Sequence, residues 1–417
     1  MPSQNKQKLQ TLKGFRDFLP AQKRQRDWLT KKLISVFERF GFEPLQTPTL
    51  EYADLILGKY GVEADKLVYQ FKDRGGRQVA LPYDQTVPTA RVLAQYRNQL
   101  PKFFRRYQIQ NVFRADNPQK GRFREFTQCD IDIFGSSSTV ADAEILSCTY
   151  RVLTAIGFDK IIIKINDRQI LFDLINKYQT SQVNVLSIIQ SIDKLDKTGP
   201  ENVSQELVNK GLTLASAKQS LTDIQNAPAS PTVRQITAYA LDLGVPENVL
   251  QFTPSLARGL DYYTGMIVEV TLPDADLGSV AGGGRYDNLI QNLSGVDIPA
   301  VGIAFGFDRL LEAAMQQNLT PADLTATKVL VTIFDQTTLP AALKLANKLR
   351  QAGVPTEVFP LLEKLDNQLK YADKKGIPFV IILGPNELKN DVLILKNMKT
   401  KTQEQLKSDQ IVEKLKI

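Results

Sequence analysis

The stretch VFRADNPQKGRFREFTQCDID, residues 112–132, has the pattern of two strands joined by a polar loop. Aromatic and β-branched residues are frequent at positions 103–113, and a similar pattern returns at 125–134. The loop between them, residues 114–121, carries no helical pattern, so the two strands are expected to pair as antiparallel neighbours. We therefore predict a fold organised around an antiparallel sheet.

The second strand of this pair carries its polar residues on one face. Gln128, Asp130 and Asp132 alternate with apolar residues, and side chains two apart in a strand point to the same side. Carboxylates cannot be buried without partners. The neighbouring strand and loop supply basic residues suited to phosphate oxygens, namely Arg114, Lys120, Arg122 and Arg124. This pattern predicts a binding site, with a solvated, charged hairpin as the alternative.

The composition is that of a globular protein with two or three domains. The chain has 417 residues, of which 43% are hydrophobic and 23% charged. Cys129 and Cys148 fit no disulfide or metal-binding spacing and are interpreted as buried apolar residues. Residues 1–13 lack the apolar stretch of a signal peptide, and no apolar run is as long as a membrane span, which favours a cytoplasmic protein.

The absence of histidine restricts the chemistry. Without an imidazole, the chain cannot be a Ser–His or Cys–His hydrolase, and most types of zinc enzyme are excluded. Catalysis must therefore use carboxylates, arginines and backbone groups.

The net charge of +7 is concentrated near the C-terminus. Residues 326–417 contain 15 basic and 10 acidic residues, a net charge of +5. This excess favours a polyanionic partner, although a solvated lysine-rich surface explains it equally well.

The periodicity divides the chain into a core region, an insertion and a C-terminal region. Helical patterns at 24–40, 88–99 and 142–156 accompany strand patterns at 78–81, 160–165, 267–272 and 300–305. Residues 167–254 have the pattern of short helices with breaks at 199–200 and 227–231, which indicates an inserted helical module. After a polar boundary at 318–327, strands and helices alternate, and this predicts a small, largely parallel α/β unit.

Residues 112–132 resemble motif 2 of the class II aminoacyl-tRNA synthetases, in the form found in the histidyl-tRNA synthetase family. Six further segments resemble motifs of that family in the expected order: GFRDFLP (14–20), FGFEPLQTP (40–48, motif 1), YDQTVP (83–88), LARGLDYYTG (256–265), AGGGRYD (281–287) and GIAFGFDR (302–309, motif 3). Each match is weak alone, but together they span most of the chain.

The resemblance implies an architecture of two domains. Residues 1–320 would be an α+β catalytic domain of class II, an antiparallel sheet flanked by helices, with a helical insertion at about 168–254. Residues 326–417 would be an α/β anticodon-binding domain. The resemblance also implies a homodimer formed through motif 1.

The implied reaction has two steps. Histidine attacks the α-phosphate of ATP, which is bound with Mg²⁺, to give histidyl-adenylate and pyrophosphate. The terminal ribose hydroxyl of tRNA(His) then takes the histidyl group. The implied partners are L-histidine, ATP and tRNA(His), and no dedicated metal site is expected.

The resemblance also implies a role for each matching residue. The catalytic cations would be Arg258, Arg114 and Arg309, which stabilise charge without transferring a proton. ATP would be bound by Arg114, Asp116, Arg122, Phe126 and Arg309. Histidine would be bound by Asp84, Thr86, Gln128, Asp132, Arg258, Tyr262 and Tyr263. Within that set, Asp132 and Tyr263 would recognise the imidazole, because a ligand without ring nitrogens leaves both unpaired.

Two segments of the chain depart from a simple match. Pro82 stands where the family usually has arginine, and proline cannot donate a backbone hydrogen bond, which puts the geometry of the following loop in question. The triple glycine at 282–284 predicts a turn when taken alone, whereas the resemblance implies a strand that the substrate approaches closely.

Two other functions fit parts of the pattern. One is the regulatory paralogue that partners ATP phosphoribosyltransferase, which typically lacks the C-terminal domain. The other is a non-catalytic module that senses tRNA, which tends to lose the catalytic arginines. The C-terminal domain pattern and Arg114, Arg258 and Arg309 are all present, which argues against both.

Overall fold

The computed structural model describes residues 9–58, 65–118, 122–258, 262–322 and 325–416. These residues form two compact units. The first contains the chain up to Asp17 and Trp28–Thr320, and the second contains Phe18–Asp27 and the chain from Pro321 onward. Within these ranges, no helix combines the length and apolar character that crossing a membrane requires.

A sheet of eight strands, counted over the described residues, forms the centre of the first unit. The strands of this unit are β1 (Glu43–Pro44), β2 (Glu51–Tyr52), β3 (Gln70–Lys72), β4 (Gln78–Ala80), β5 (Phe104–Phe113), β6 (Glu125–Phe134), β7 (Ile162–Asp167), β8 (Leu250–Phe252), β9 (Met266–Thr271), β10 (Ser279–Arg285) and β11 (Ala300–Gly306). The large sheet has the order β1-β5-β6-β11-β10-β9-β7-β8, and β2-β4-β3 form a small one. Pairing is antiparallel from β5 to β7 and parallel at the edges, between β1 and β5 and between β7 and β8. The predicted antiparallel sheet is confirmed at its centre, and the edges make it mixed.

Helices flank this sheet and form the insertion. They are α1 (Pro20–Arg39), α2 (Ala53–Ile56), α3 (Thr86–Gln95), α4 (Thr139–Ile156), α5 (Arg168–Ile175), α6 (Val185–Ile192), α7 (Leu195–Lys210), α8 (Leu214–Gln225), α9 (Pro231–Asp242), α10 (Leu289–Ser294) and α11 (Phe307–Gln316). Local sequence sets their ends. For example, Ser138 caps α4 by accepting a hydrogen bond from the Val140 amide, and Gly157 ends it with a φ of 117°.

One face of the large sheet packs against α1 and α4. Ile131 and Ile133 of β6 lie in this core with Leu33 and Leu146, and all four are almost inaccessible to solvent. Burying each such side chain stabilises the fold by about 1.5–3 kcal/mol. Because side chains alternate along a strand, the polar residues of β6 lie on the opposite face.

The helical insertion consists of α5 to α9. Helices α5 to α8 have a buried cluster that includes Leu171 and Leu207, and Gly199, with a φ of 82°, interrupts α7 where a break was predicted. Helix α9 differs, because Val233 and Ile236 belong to the core of the large sheet. The end of the insertion is therefore anchored in the core of the first unit.

The second unit has its own sheet and helices. Its elements are β12 (Val329–Val331), α12 (Leu339–Gln351), β13 (Thr356–Val358), α13 (Leu365–Lys375), β14 (Phe379–Ile382), α14 (Pro385–Lys389), β15 (Leu393–Asn397), β16 (Gln403–Leu406) and α15 (Ser408–Leu415). The strand order is β13-β12-β14-β15-β16, parallel as far as β14 and antiparallel beyond it. The predicted α/β class is confirmed, whereas β15 and β16 were not predicted.

Candidate active site

Small residues form a floor at the middle of the sheet, on the face opposite the core. Gly282 and Gly284 of β10 lie opposite Ala304 and Gly302 of β11, and Gly306 of β11 lies opposite a polar residue of β6. Residues directly opposite each other in an antiparallel pair share a face, so backbone and one methyl group form most of this surface. The triple glycine is part of a strand, as the resemblance implied, and not a turn.

Asp132 lies on this floor because its neighbour is glycine. Gly302 is directly opposite Asp132, and a Cβ atom at Gly302 would overlap Oδ1 of Asp132 and lie 2.6 Å from its Cγ. Any side chain at position 302 would therefore displace the carboxylate, so the position of Asp132 depends on this glycine.

Asp132 has two fixed partners. Nη2 of Arg106 lies 2.7 Å from Oδ2, and the hydroxyl of Tyr286 donates to Oδ1. Arg106 is only 1% exposed and also donates to Oε1 of Gln108 at 3.0 Å. Burial raises the pKa of Asp132, while the charge of Arg106 and the bond from Tyr286 lower it; the net shift is upward. The side chain is thus held as an oriented acceptor in a water-poor setting.

Asp130 is a second buried carboxylate beside Asp132. Nε2 of Gln128 donates to it at 2.8 and 3.1 Å, and Nη2 of Arg106 lies 3.7 Å away. Burial raises the pKa of Asp130 to about 7, against the lowering effect of Arg106. Since Asp84 also repels this carboxylate, three acidic groups share one buried guanidinium.

Tyrosine rings form one side of the site. The ring of Tyr262 lies 4.7 Å from that of Tyr263 and 5.9 Å from that of Tyr286, measured between centroids. Asp132 and Tyr263 were predicted to contact the imidazole of histidine together, and this stays a prediction. In the structure the hydroxyl bonded to Asp132 is that of Tyr286, and Tyr263 lies beside the guanidinium of Arg258, 5.9 Å from ring centroid to Cζ.

Arg258 reaches over the floor from a loop. A Cβ atom at Gly282 would lie 2.6 Å from Cζ of Arg258, so the guanidinium occupies the space that the glycine leaves. A carboxylate oxygen of Glu269, on β9, lies 3.9 Å from Nη1 of Arg258. The Nε of Arg258 is buried and has no hydrogen-bond partner among the described residues, which leaves this donor available to a ligand.

The loop before α3 presents Asp84. Oδ1 of Asp84 accepts from the amides of Thr86 and Val87 at 3.0 and 3.3 Å, an arrangement that fixes the carboxylate at the start of the helix. Pro82 contributes its carbonyl, which accepts from the amide of Phe113 at 2.9 Å. Pro82 therefore anchors this loop through its carbonyl oxygen, and the anchoring does not need the amide proton that proline lacks. On β6, Oε1 of Gln128 is buried without a hydrogen-bond partner among the described residues.

The predicted ATP residues lie at the end of the sheet where β5 stops and β6 begins. The guanidinium of Arg114 lies over two aromatic rings, 4.3 Å from the Tyr83 centroid and 5.1 Å from the Phe126 centroid. Its Nε donates to the Tyr83 carbonyl at 3.1 Å. Arginine held against aromatic faces keeps its remaining donors free for phosphate oxygens.

Three further predicted residues surround this end. Asp116 lies 3.6 Å from Nε of the exposed Arg122, and its carbonyl accepts from Arg124 at 3.0 Å. Arg309, at the start of α11, donates to the carbonyl of Ser279 at 2.7 Å. Lys120 and residues 259–261 of the 256–265 motif lie outside the described residues.

The structure thus groups the predicted residues into two neighbouring sets. Asp84, Gln128, Asp132, Tyr262, Tyr263 and Arg258 surround the glycine floor, and Arg114, Asp116, Arg122, Phe126 and Arg309 lie toward one end of the strands. Three members of the site were not predicted, namely Arg106, Tyr286 and Glu269, whereas Asp130 was predicted on its polar face without a role of its own. Alternation along β5 was the signal for Arg106, and the AGGGRYD segment contained Tyr286. Among the described residues, no group of three side chains forms a metal site.

Known proteins resemble this chain along nearly its whole length. Residues 14–310 match the family model described as histidyl-tRNA synthetase, and residues 328–416 match an anticodon-binding domain. The chain is 40% identical to the histidine–tRNA ligase of Wolinella succinogenes, over 93% of each chain, and 37% identical to that of Cytophaga hutchinsonii, over 97% of this chain and 98% of the relative. The crystal structure of histidyl-tRNA synthetase from Nostoc sp. PCC 7120 superposes with a TM-score of 0.86 at 29% identity, covering 98% of this chain and 99% of the other.

Proposed function

The chain belongs to the histidyl-tRNA synthetase family, and from this premise we propose that its site joins histidine to tRNA in two steps. In the first step a carboxylate oxygen of histidine attacks the α-phosphorus of ATP, the bond to the β-phosphate breaks, and histidyl-adenylate and pyrophosphate form. In the second step the terminal ribose hydroxyl of tRNA(His) attacks the acyl carbon and AMP leaves.

The observation that carries this proposal is Asp132 on the glycine floor. A buried carboxylate with both oxygens oriented is suited to accept a hydrogen bond from a ring N–H, and the floor admits a flat ring close to the backbone. Tyr262 and Tyr263 provide hydroxyl groups and aromatic faces beside it. An apolar side chain of similar size would offer no donor to Asp132 and would remove water from this carboxylate without replacing its hydrogen bonds, so histidine is favoured.

The α-ammonium group and the carboxylate of histidine would be held by different residues. Asp84, oriented by the amides at the start of α3, suits the α-ammonium group, and Thr86 lies beside it. Gln128 has an unpaired buried oxygen and suits the same end of the ligand. The donors of Arg258 would hold the reacting carboxylate near the phosphate.

Catalysis would be electrostatic. Arg258 and Arg114 would stabilise charge on the α-phosphate as the transition state forms, and Arg309 would neutralise the triphosphate. Arg122 would contact the distal phosphates, and Phe126 would stack on adenine. Mg²⁺ bound with ATP would neutralise phosphate charge, and Asp116 supplies a carboxylate, a ligand type that Mg²⁺ uses beside phosphate oxygens.

The second unit is proposed to bind the anticodon region of tRNA(His). Residues 328–416 match an anticodon-binding model, and residues 326–417 carry a net charge of +5. A homodimer built on residues 40–48 and a cytoplasmic location are further proposals that rest on the family.

Histidine-dependent exchange of pyrophosphate into ATP tests the proposal. Purified protein is expected to catalyse exchange with histidine and not with phenylalanine or glutamine, and Arg258→Ala is expected to lose most of the activity. Arg350→Ala, in the second unit, serves as the matched control and should exchange at the normal rate. Protein that is folded and catalyses no exchange would favour the regulatory or tRNA-sensing alternatives.

A further inference from the structure

Asn166, at the end of β7, fixes the segment that leads to Arg258. Asn166 is fully buried, and its Nδ2 donates hydrogen bonds to the carbonyl oxygens of Pro254 and Leu256, both at 2.9 Å. One side-chain amide thus uses both of its protons on two carbonyls that are two residues apart. Both distances are those of ordinary hydrogen bonds, so residues 254–256 cannot shift away from Asn166 without breaking the two bonds.

Arg168, two residues later, contacts the same loop at two other points. Its amide donates to the carbonyl of Gly265 at 2.9 Å, and its Nη1 lies 3.4 Å from the carbonyl oxygen of Arg258 itself. Arg168 is 1% exposed, and its guanidinium packs over Phe172 of α5. The segment from Asn166 to Arg168 therefore holds the loop both before and after Arg258.

The backbone of Arg258 needs such support. Its φ is +36°, in the left-handed region that residues other than glycine rarely occupy. A strained conformation persists only where its surroundings enforce it, and such residues are concentrated at functional sites. The guanidinium occupies the space above Gly282, so a small rotation of this backbone moves it away from the floor.

Asp167, between the two holding residues, joins them to the insertion. Its carboxylate caps α5 by accepting from the amide of Gln169 at 3.0 Å, and it accepts from the hydroxyl of Ser230 at 3.0 Å. Ser230 is the N-cap of α9. The first and last helices of the insertion therefore meet at Asp167, between the two residues that hold the Arg258 loop.

We propose that Asn166 and Arg168 are positioning residues for Arg258. Through them, the position of Arg258 in the adenylation site depends on the junction between β7 and the helical insertion. The inference rests on the proposed function, since it assumes that Arg258 acts on the phosphate. Neither residue is among those proposed to contact substrate. Their effect on rate must pass through Arg258, and this requirement makes the proposal testable.

A double-mutant cycle measured by histidine-dependent exchange is the test. Asn166→Ala and Arg168→Met are each expected to lower kcat by roughly 10- to 100-fold, because small misplacements of a catalytic group have effects of that size. In an Arg258→Ala background the same substitutions should lower the residual kcat by less than about 2-fold. Gln169→Ala, an exposed neighbour on α5, is the matched control and should have a normal rate.

Further measurements distinguish a misplaced Arg258 from a loss of folding. The thermal midpoint of each variant is measured, and if Asn166→Ala is unfolded, Asn166→Thr replaces it, because one hydroxyl can donate to at most one of the two carbonyls. Equal losses of kcat with and without Arg258, or folded variants with normal kcat, would overturn the inference. Wild-type protein without exchange activity would refute the proposed function instead.

Discussion

Gly282 and the guanidinium of Arg258 share one space, since a Cβ atom at position 282 would lie 2.6 Å from Cζ of Arg258. Gly282→Ala is therefore expected to displace the guanidinium and to lower kcat for exchange by roughly 10-fold or more, with little change in thermal midpoint. Gly75→Ala, in an exposed turn where a Cβ atom meets nothing closer than 3.4 Å, is the control. An unchanged kcat in Gly282→Ala would mean that Arg258 acts from another position.

Arg106→Met should affect both stability and histidine binding. The substitution leaves Asp130 and Asp132 without their counter-ion, and breaking a buried pair in this way costs about 3–5 kcal/mol in the free energy of unfolding. Urea unfolding measures this loss. In the folded variant, KM for histidine should rise more than KM for ATP. The reason is that loss of Arg106 displaces Asp132, which is proposed to contact the imidazole and not ATP.

The neighbouring arginine provides the comparison for that variant. Arg105 points to the other face of β5, is partly exposed and pairs with Glu144. Arg105→Met should lower the free energy of unfolding by about 1 kcal/mol or less and leave both KM values unchanged. Equal effects of the two substitutions would show that burial with the carboxylates is not what makes Arg106 important.

Asp130 should make stability depend on pH in an unusual window. Its pKa rises from 3.8 to about 7 on folding, so the folded state binds the proton more tightly. Its contribution to the free energy of unfolding is complete below about pH 4 and decreases as pH rises through about 7, by at most about 4 kcal/mol. With no histidine in the chain, the usual source of proton uptake between pH 5 and 8 is missing.

Unfolding of wild type and Asp130→Asn by urea at pH 5 and pH 8 measures this effect. Wild type should lose more stability between the two pH values than Asp130→Asn, whose amide does not titrate. Parallel losses would place the titration on another group.

Salt should separate the two steps of the reaction. KM for tRNA in aminoacylation is expected to rise steeply between 50 and 200 mM KCl, because each phosphate contact releases a counterion. KM for histidine in the exchange reaction should change little, since its charged partners are buried and poorly screened. A tRNA interaction with no salt dependence would contradict the role proposed for the net positive charge of residues 326–417.

The central strands were predictable because their pattern is local. The bounds predicted for β6 coincide with the observed Glu125–Phe134, since polar and apolar residues alternate along it. The insertion was also visible as a change in periodicity. Strand β16 escaped detection because its exposed sequence, rich in glutamine and glutamate, resembles a solvated loop. Strand β15 has a short apolar sequence with alternating burial, and its place in the sheet follows from its pairing with β14.

The missed site residues depend on pairing between distant segments. Arg106 lies opposite Asp132 across β5 and β6, and only the strand register reveals that they form an ion pair. The hydrogen bond from Tyr286 to Asp132 likewise joins residues that are far apart in the sequence. The family motifs identified the segments that form the site, but not these partnerships.

The glycine floor sets a limit on how the enzyme can be redesigned. Glycine is the smallest residue, so substitutions at Gly282, Gly284 or Gly302 can only remove volume from the pocket. Analogues with bulkier rings cannot be admitted by trimming the floor. Room for them must come from the tyrosine side, where Tyr262 and Tyr263 have side chains that can be shortened.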